Sequence, residues 1–283
     1  MLRLGELAYW INERERVRQR KESGAPPPWT NNTIIANTRF CNVRREDDKV
    51  TRWIRQNWGG YVHHKNYTLA MALARFINWI PTLEVIAFPE HWTPKALKDL
   101  LYLRAKNEQV FGGAYIISTN GRKMSKIDYV VDVVLDPLHN SLHAPFVQRM
   151  FDRPCTLLEA HHWFIQQQGI GSFMSGQLIA DLKNTAGHPL SYALDWERFC
   201  CAGPGSKRGL NRLYGRDVNA AMTEEVFQEL IQPLHDLLPP LLDRAVFTHP
   251  VLHMQDIQNC MCEFDKFIRV KEGGRAKSNY RAR

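Results

Sequence analysis

Apolar residues recur along this chain mainly at helical spacing, and proline- or glycine-rich breaks separate the runs. Residues 1–22 read as a helix whose polar face carries Arg14, Arg16, Arg18, Arg20 and Lys21, and the stretch "SGAPPPWTNN" breaks it, as a proline run must. Helical patterns follow near 46–57, 67–80, 93–107, 145–152 and 155–167, then near 222–238 and 252–268. "GGAYIIST" (112–119) and "YVVDVVL" (129–135) are too short to arbitrate between strand and helix. The pattern predicts a mainly α fold, with a few short strands as the only β content. It divides the chain into an N-terminal basic helix and proline-rich connector (1–34), a helical body with one core (35–270), and a basic, mobile tail (271–283).

One junction stands out. Leu157, Leu158, Phe164 and Ile165 are spaced as one apolar face, and Phe173, Met174, Leu178, Ile179 and Leu182 repeat the pattern after "GIG". Gly169 and Gly171 permit the positive φ and close backbone approach of a tight turn. The turn either only reverses the chain or presents the N–H groups at the start of the second helix to an anion. Gly169, Gly171, Ser172 and Lys183 are the candidates for contact with a phosphate backbone. The arrangement resembles the helix-hairpin-helix motif of DNA glycosylases. That resemblance implies a turn gripping a DNA phosphate, often with a bound monovalent cation, and a catalytic aspartate some twenty residues further on. Asp195 in "YALDWERF" stands at a somewhat longer interval. It reads both as that aspartate and as the N-cap of a following helix.

Three further stretches carry chemistry. In "AGPGSKRGLNR" (202–212), glycines around Pro204 predict an irregular backbone, and Ser206, Lys207, Arg208 and Arg212 are donors suited to phosphate. The plain alternative is a solvated basic turn. "NTRFCNVRREDDKVTRW" groups Arg39, Asn42, Arg44, Arg45, Asp47 and Asp48, either as a site or as a solvated surface helix. "HPVLHMQDIQNCMCEFDKFIR" sets Asp256, Asn259, Glu263 and Lys266 along one helical stripe, where Glu–Lys pairing at i,i+3 is the plain explanation. His63-His64 and His161-His162 are adjacent pairs that diverge on a helix and share no metal. No G-x-x-x-x-G-K-[ST] occurs anywhere, which argues against a P-loop kinase.

Composition narrows the partners. The 283 residues carry 37 Lys and Arg against 29 Asp and Glu, a formal charge of +8, which favours a polyanion. The six cysteines form no C-x-x-C pair, and the charged start lacks a secretory apolar core, so they read as reduced thiols of a cytoplasmic protein. The most apolar stretch, "LAMALARFINWIPTLEVIAF", is interrupted by Arg75, Asn78, Pro81 and Glu84 and is not read as a membrane span.

Taken together, "RFCNVRREDD", "GIGSFMSGQLIADLK", "AGPGSKRGLNR" and "DIQNCMCEFDK…GRAKSNYR" resemble a phage family described as alpha-glutamyl/putrescinyl thymine pyrophosphorylases, or amino acid:DNA transferases. It is related to helix-hairpin-helix glycosylases, and its helical core recurs beside 5-hydroxymethyluracil DNA kinases. The resemblance runs from about residue 35 to 281. It implies that an upstream kinase pyrophosphorylates 5-hydroxymethyluracil in double-stranded DNA. An amine, from an amino acid such as glycine or glutamate or from a polyamine, then displaces pyrophosphate from the 5-methylene carbon. A base held for such chemistry is extruded into a pocket.

Side-chain chemistry suggests roles within that reaction. Asp195 or Glu263 would deprotonate the amine, with Lys266 beside it. Lys207, Arg208 and Arg212, with Arg44 and Arg45 second, would balance the leaving pyrophosphate, with Ser206 and Asp48 at the same site, and Asn259 would read a uracil edge. The sequence requires no cofactor or resident metal and leaves a divalent ion open. Two alternatives stay beside the transferase: a glycosylase acting on a modified base, and a non-catalytic DNA-binding partner of the kinase.

Overall fold

The computed structural model describes residues 2–113, 117–144, 147, 155–247 and 252–275. The described residues are mainly α-helical and contain no β-strand. In chain order the principal helices are α1 (Leu4–Glu22), α2 (Thr33–Asn37), α3 (Lys49–Trp58), α4 (Tyr67–Ile77), α5 (Ile80–Ile86) and α6 (Pro94–Ala105). A continuous helical stretch, α7, joins Lys126–Asp128, the π-helical Tyr129–Leu135 and Asp136–Leu142. Then come α8 (Leu157–Ile165), α9 (Ser172–Lys183), α10 (Pro204–Leu213), α11 (Glu224–Ile231), α12 (Leu234–Leu237) and α13 (Met254–Lys271).

Where the pattern predicted single helices, local chemistry sometimes cuts them. The expected helix 67–80 stops at Ile77, because Asn78 takes a left-handed conformation (φ 45°) as its C-cap. The one at 222–238 is broken at Pro233, between α11 and α12. "YVVDVVL" is a π-helical turn rather than a strand, with six of its seven residues buried. The helix expected at 145–152 lies outside the described residues but for Val147, as does the middle of "GGAYIIST".

The chain divides into two compact units, one of Met1–Asp48 with Glu197–Arg283 and one of Lys49–Trp196. This division crosses the boundaries expected at 34/35 and 270/271. α1 is no separate lobe: Leu7, Trp10 and Ile11 are fully buried in one apolar cluster with Phe227, Met261 and Phe264. In that unit α10 lies tightly along α13. A Cβ on Gly209 would stand 2.0 Å from the Met261 carbonyl oxygen, and one on Gly205 2.2 Å from Cys262 Sγ. Two glycines one turn apart are therefore what lets these helix backbones approach.

The second unit is built on α4, whose residues from Leu69 to Ala74 are all fully buried. At its centre Arg75 and Asp181, both wholly inaccessible, form a bidentate ion pair. Thr51 accepts a further bond from Arg75 at 2.7 Å, and Arg55 donates to Thr185 Oγ1 and to the Asp181 carbonyl. A buried charge pair persists only when its remaining hydrogen-bonding positions are filled in this way. Among the described residues no helix is long and apolar enough to cross a membrane.

Candidate functional site

In the first unit, three separated stretches meet on α13. Two backbone amides of residues 39–48 donate to its carboxylates. The Cys41 amide donates to Glu263 Oε2 at 3.1 Å, and the Arg45 amide to Asp256 Oδ1 at 2.9 Å. Lys266 Nζ donates to both Glu263 oxygens (2.9 and 2.7 Å) and to the Arg39 carbonyl at 3.1 Å. From α1, Arg14 reaches the Cys41 carbonyl and Asn42 Oδ1, and Arg18 binds Glu15 and Asp47. His253 Nε2 stands 3.1 Å from Asp256 Oδ2. Burial holds the Cys260 thiol well above its usual range, with Asp256 and Glu263 adding to the effect, so it stays protonated and is no nucleophile.

The stretch 202–212 corrects an expectation. It is neither an irregular loop nor a solvated turn: Pro204 opens α10 at its first position, and Gly203 is the N-cap. Buried Ser206 binds back to Gly203, accepting from its N–H and donating to its carbonyl, both at 3.0 Å. Lys207 Nζ donates to the Met222 carbonyl at 2.6 Å. Arg208 and Arg212, one turn apart, both donate through Nε to Asp265, at 3.0 and 2.9 Å. Arg269 stands 3.7 Å from the same carboxylate. Three guanidiniums surround this one carboxylate, Arg212 also pairs with Glu272, and Arg208 is the more exposed of the α10 pair, at 35% against 14%.

The sequence reading missed Asp265. It lies two residues beyond Glu263, about 200° around the helix, so it falls off the stripe that the period picked out. α13 therefore has two working polar faces, one toward residues 39–48 and one toward α10. The arginine pair at i,i+4 was the available signal, since two guanidiniums on one helical face are placed to share one carboxylate. Of the remaining candidates, Arg44 lies over the Phe247 ring at 5.5 Å, Arg45 is buried, and Asp48 and Asn259 are half-buried.

In the second unit, α8 and α9 form a helix–turn–helix across residues 166–171. Gly169 has φ 78°, and a Cβ there would meet Val134 Cγ2 at 2.5 Å. Gly171 is different. As N-cap of α9 it has an ordinary φ of −86°, and a Cβ there would meet open space. Gly169, Ile170 and Gly171 line an open cavity of about 430 Å³ together with Asn120, Tyr129 and Gln167. Ser172 begins α9 at the positive end of its dipole. The apolar face is narrower than its spacing suggested: Leu157 and Phe164 are buried, whereas Leu158, Ile165 and Phe173 are exposed.

Two candidates of this unit have internal partners. Lys183 is buried, with Nζ 2.7 Å from the Trp196 carbonyl and 4.4 Å from the centre of its ring, so it is no surface contact for DNA. Asp195 caps a helix, but not one that follows it, since the residues after it form turns. Its two carboxylate oxygens accept from the Leu157 and Leu158 amides, at 2.7 and 3.1 Å, across the start of α8. Tyr192 and Leu194 flank it, 74% and 88% exposed.

Among the described residues no group of three or more His, Cys, Asp or Glu is placed to hold a metal ion. No curated protein and no solved structure matches the chain. The family model described as "5-hmdU DNA kinase, helical domain" matches residues 3–275, nearly the whole chain. By that match, the chain belongs to the family of 5-hmdU DNA kinase helical domains.

Proposed function

We propose that this protein is a DNA-modifying transferase. In this reading an amine attacks the 5-methylene carbon of pyrophosphorylated 5-hydroxymethyluracil in DNA. A C–N bond forms, the C–O bond to pyrophosphate breaks, and the amine gives up one proton. The observation that carries the reading is the fixed charge around α13, where Arg208 and Arg212 of α10 join Arg269 about buried Asp265 on one face and Lys266 pairs with buried Glu263 on the other. Arg208, supported by Arg212 and Arg269, suits departing pyrophosphate, since fixed positive charge stabilises the leaving group as the bond breaks. The family's link to 5-hydroxymethyluracil supports the base, and the turn 169–171 suits a DNA phosphate.

A second reading is a DNA-binding domain that serves a kinase without chemistry of its own. One observation favours it: Asp195, Glu263, Lys207 and Arg212 are each engaged by internal partners. One experiment separates the two. Duplex DNA containing 5-pyrophosphoryloxymethyluracil is incubated with the protein, amino acids and polyamines, then digested to nucleosides for mass spectrometry. An amine-bearing nucleoside with released pyrophosphate supports the transferase. An unchanged nucleoside pool, with salt-dependent DNA binding, supports the second reading. Abasic sites would overturn both in favour of a glycosylase.

A further inference from the structure

We infer that the cavity beside the turn 169–171 binds an unmodified, uncharged nucleobase that has left the stack of the DNA, with Arg122 and Lys123 on the phosphates next to it. The inference rests on DNA as the partner, which both readings above share, and not on the transfer chemistry. The cavity belongs to the unit Lys49–Trp196, whereas the guanidiniums about Asp265 belong to the other unit.

The cavity measures about 430 Å³, and small-molecule sites span roughly 300–1,000 Å³. Phe76, Ile165 and Met174 give it apolar walls, and Asn120, Tyr129 and Gln167 supply amide and hydroxyl groups. Among the described residues the only charged member of the lining is Arg75, which Asp181 holds in the buried ion pair. Such a lining suits a neutral heterocycle that is apolar on its faces and polar at its edge. Nucleobases are of that kind, and Asn and Gln amides pair with a base edge through a donor and an acceptor at once. The lining offers a pyrophosphate no cation that is not already paired, so the ligand is a base without that group.

Hydrogen-bonding capacity is left over inside. Tyr129 is 2% exposed, and Asn120 Nδ2 donates to its hydroxyl oxygen at 2.9 Å. Among the described residues nothing accepts the Tyr129 proton. The pair therefore leaves that proton as a donor and Asn120 Oδ1 as an acceptor. Reversing the amide exchanges the two roles and still leaves one of each. Gln167 Nε2 donates to the Trp163 carbonyl at 3.1 Å, which leaves its Oε1 as a further acceptor. A buried donor without an acceptor is costly, and the edge of a base satisfies it.

Local sequence sets Asn120 at this position. Asn120 and Gly121 have φ of 51° and 78°, the left-handed pair that an Asn-Gly turn allows. The Arg122 amide donates to the Thr119 carbonyl at 3.1 Å, and the Thr119 hydroxyl donates to the Arg122 carbonyl at 3.0 Å. The turn thus fixes Asn120 at the cavity and carries Arg122 and Lys123 directly after it. Both are exposed, and neither makes an ion pair among the described residues. Uncompensated cations beside a neutral cavity match a nucleotide of a DNA strand, with the phosphate outside and the base inside.

The test uses the full chain and DNA free of 5-hydroxymethyluracil, as a fully paired duplex and as the same duplex with one unpaired 2-aminopurine. An unpaired base leaves the stack at least cost. Affinity, its salt dependence and the 2-aminopurine fluorescence, which rises on unstacking, are measured for the parent, for Tyr129→Phe, for Asn120→Gly and for Arg122→Gln with Lys123→Gln. Glycine keeps the positive φ at position 120, and thermal melting checks each fold. The parent is expected to prefer the bulged duplex and to raise its fluorescence. Each cavity variant should lose about tenfold on the bulged duplex alone. The double variant should weaken on both DNAs, with a salt slope lower by about two. Equal parent affinity for both duplexes, cavity variants that lose equally on both or on neither, or an unchanged salt slope in the double variant overturns the inference. Competition by free thymidine or adenosine as strong as that by bulged DNA overturns it too, because the ligand would then be a free nucleoside. A parent that binds neither DNA removes the inference together with both readings above. Amine transfer that the cavity variants leave unchanged, with no bulge preference, removes the inference and leaves the transferase standing.

Discussion

Lys183 and Trp196 hold each other at both ends. The Lys183 ammonium donates to the Trp196 carbonyl at 2.7 Å, the Trp196 indole N–H donates to the Lys183 carbonyl at 2.8 Å, and the ammonium sits over the ring at 4.4 Å. A cation on a desolvated indole face that also has a carbonyl partner is a structural pin. Lys183→Met should lower stability by about 2 kcal/mol while leaving the salt dependence of DNA affinity unchanged. Melting and binding across a salt series check this. A salt slope reduced by about one would restore Lys183 as a phosphate contact.

Asp195 has a capping role that separates from any chemical one. Asp195→Ala leaves two amides at the start of α8 without their acceptor and should cost about 1 kcal/mol. Asp195→Asn keeps one oxygen acceptor and should melt closer to the parent protein. If Asp195 also acts in the reaction, the Asn variant loses turnover out of proportion to its stability. Normal turnover in a folded Asn variant ends that role.

The glycines make opposite forecasts. Gly209→Ala forces a methyl against the Met261 carbonyl and should destabilise by about 2 kcal/mol or more, or shift α10 along α13. Gly171→Ala enters open space at an ordinary φ and should cost no more than about 1 kcal/mol, from alanine being the poorer N-cap. Gly171→Arg should likewise fold, and it obstructs the start of α9. Normal duplex affinity in that variant would reduce the turn to a chain reversal.

His188 supplies a pH dependence. Burial, with the Arg55 charge adding, lowers its pKa from 6.5 to about 4. A depressed folded-state value means that the unfolded chain binds the extra proton first. The stability is fully present above pH 6.5 and is lost progressively as pH falls toward 4, on the order of 3 kcal/mol in all. His188→Asn retains a side-chain acceptor for the Leu190 amide and should flatten the melting curve across this window. An equally steep loss in the variant would assign the acid sensitivity to other groups.

How far the sequence could be read depended on how far each structure is encoded locally. Helical periodicity located α1, α6 and α13 closely, because their buried faces repeat over several turns. It also found the stripe Asp256–Glu263–Lys266, whose partners lie within one helix or on the segment laid over it. Stretch 202–212 was misread because Gly and Pro signal a loop when read locally. Here Pro204 begins a helix and Gly205 and Gly209 face a backbone some fifty residues away. Asp181 and Arg75 lie 106 residues apart, and nothing near either one foretells the pair. The burial of Lys183 is equally hidden from local sequence, because its Trp196 indole lies beyond the helix that contains it.

The first unit is assembled from both ends of the chain, with Lys49–Trp196 between its two parts. The bond from Lys266 to the Arg39 carbonyl closes a span of 227 residues. A ribosome adding about 5–20 residues per second needs roughly 10–45 s to cover that span. During that interval α1 and the 39–48 segment exist without α13, and Trp10 and Phe40 have no Phe264 or Phe267 to pack against. The intervening unit is complete in sequence long before, so it can fold first. Until α13 emerges, the apolar faces of α1 and of residues 39–48 lack the helix that buries them.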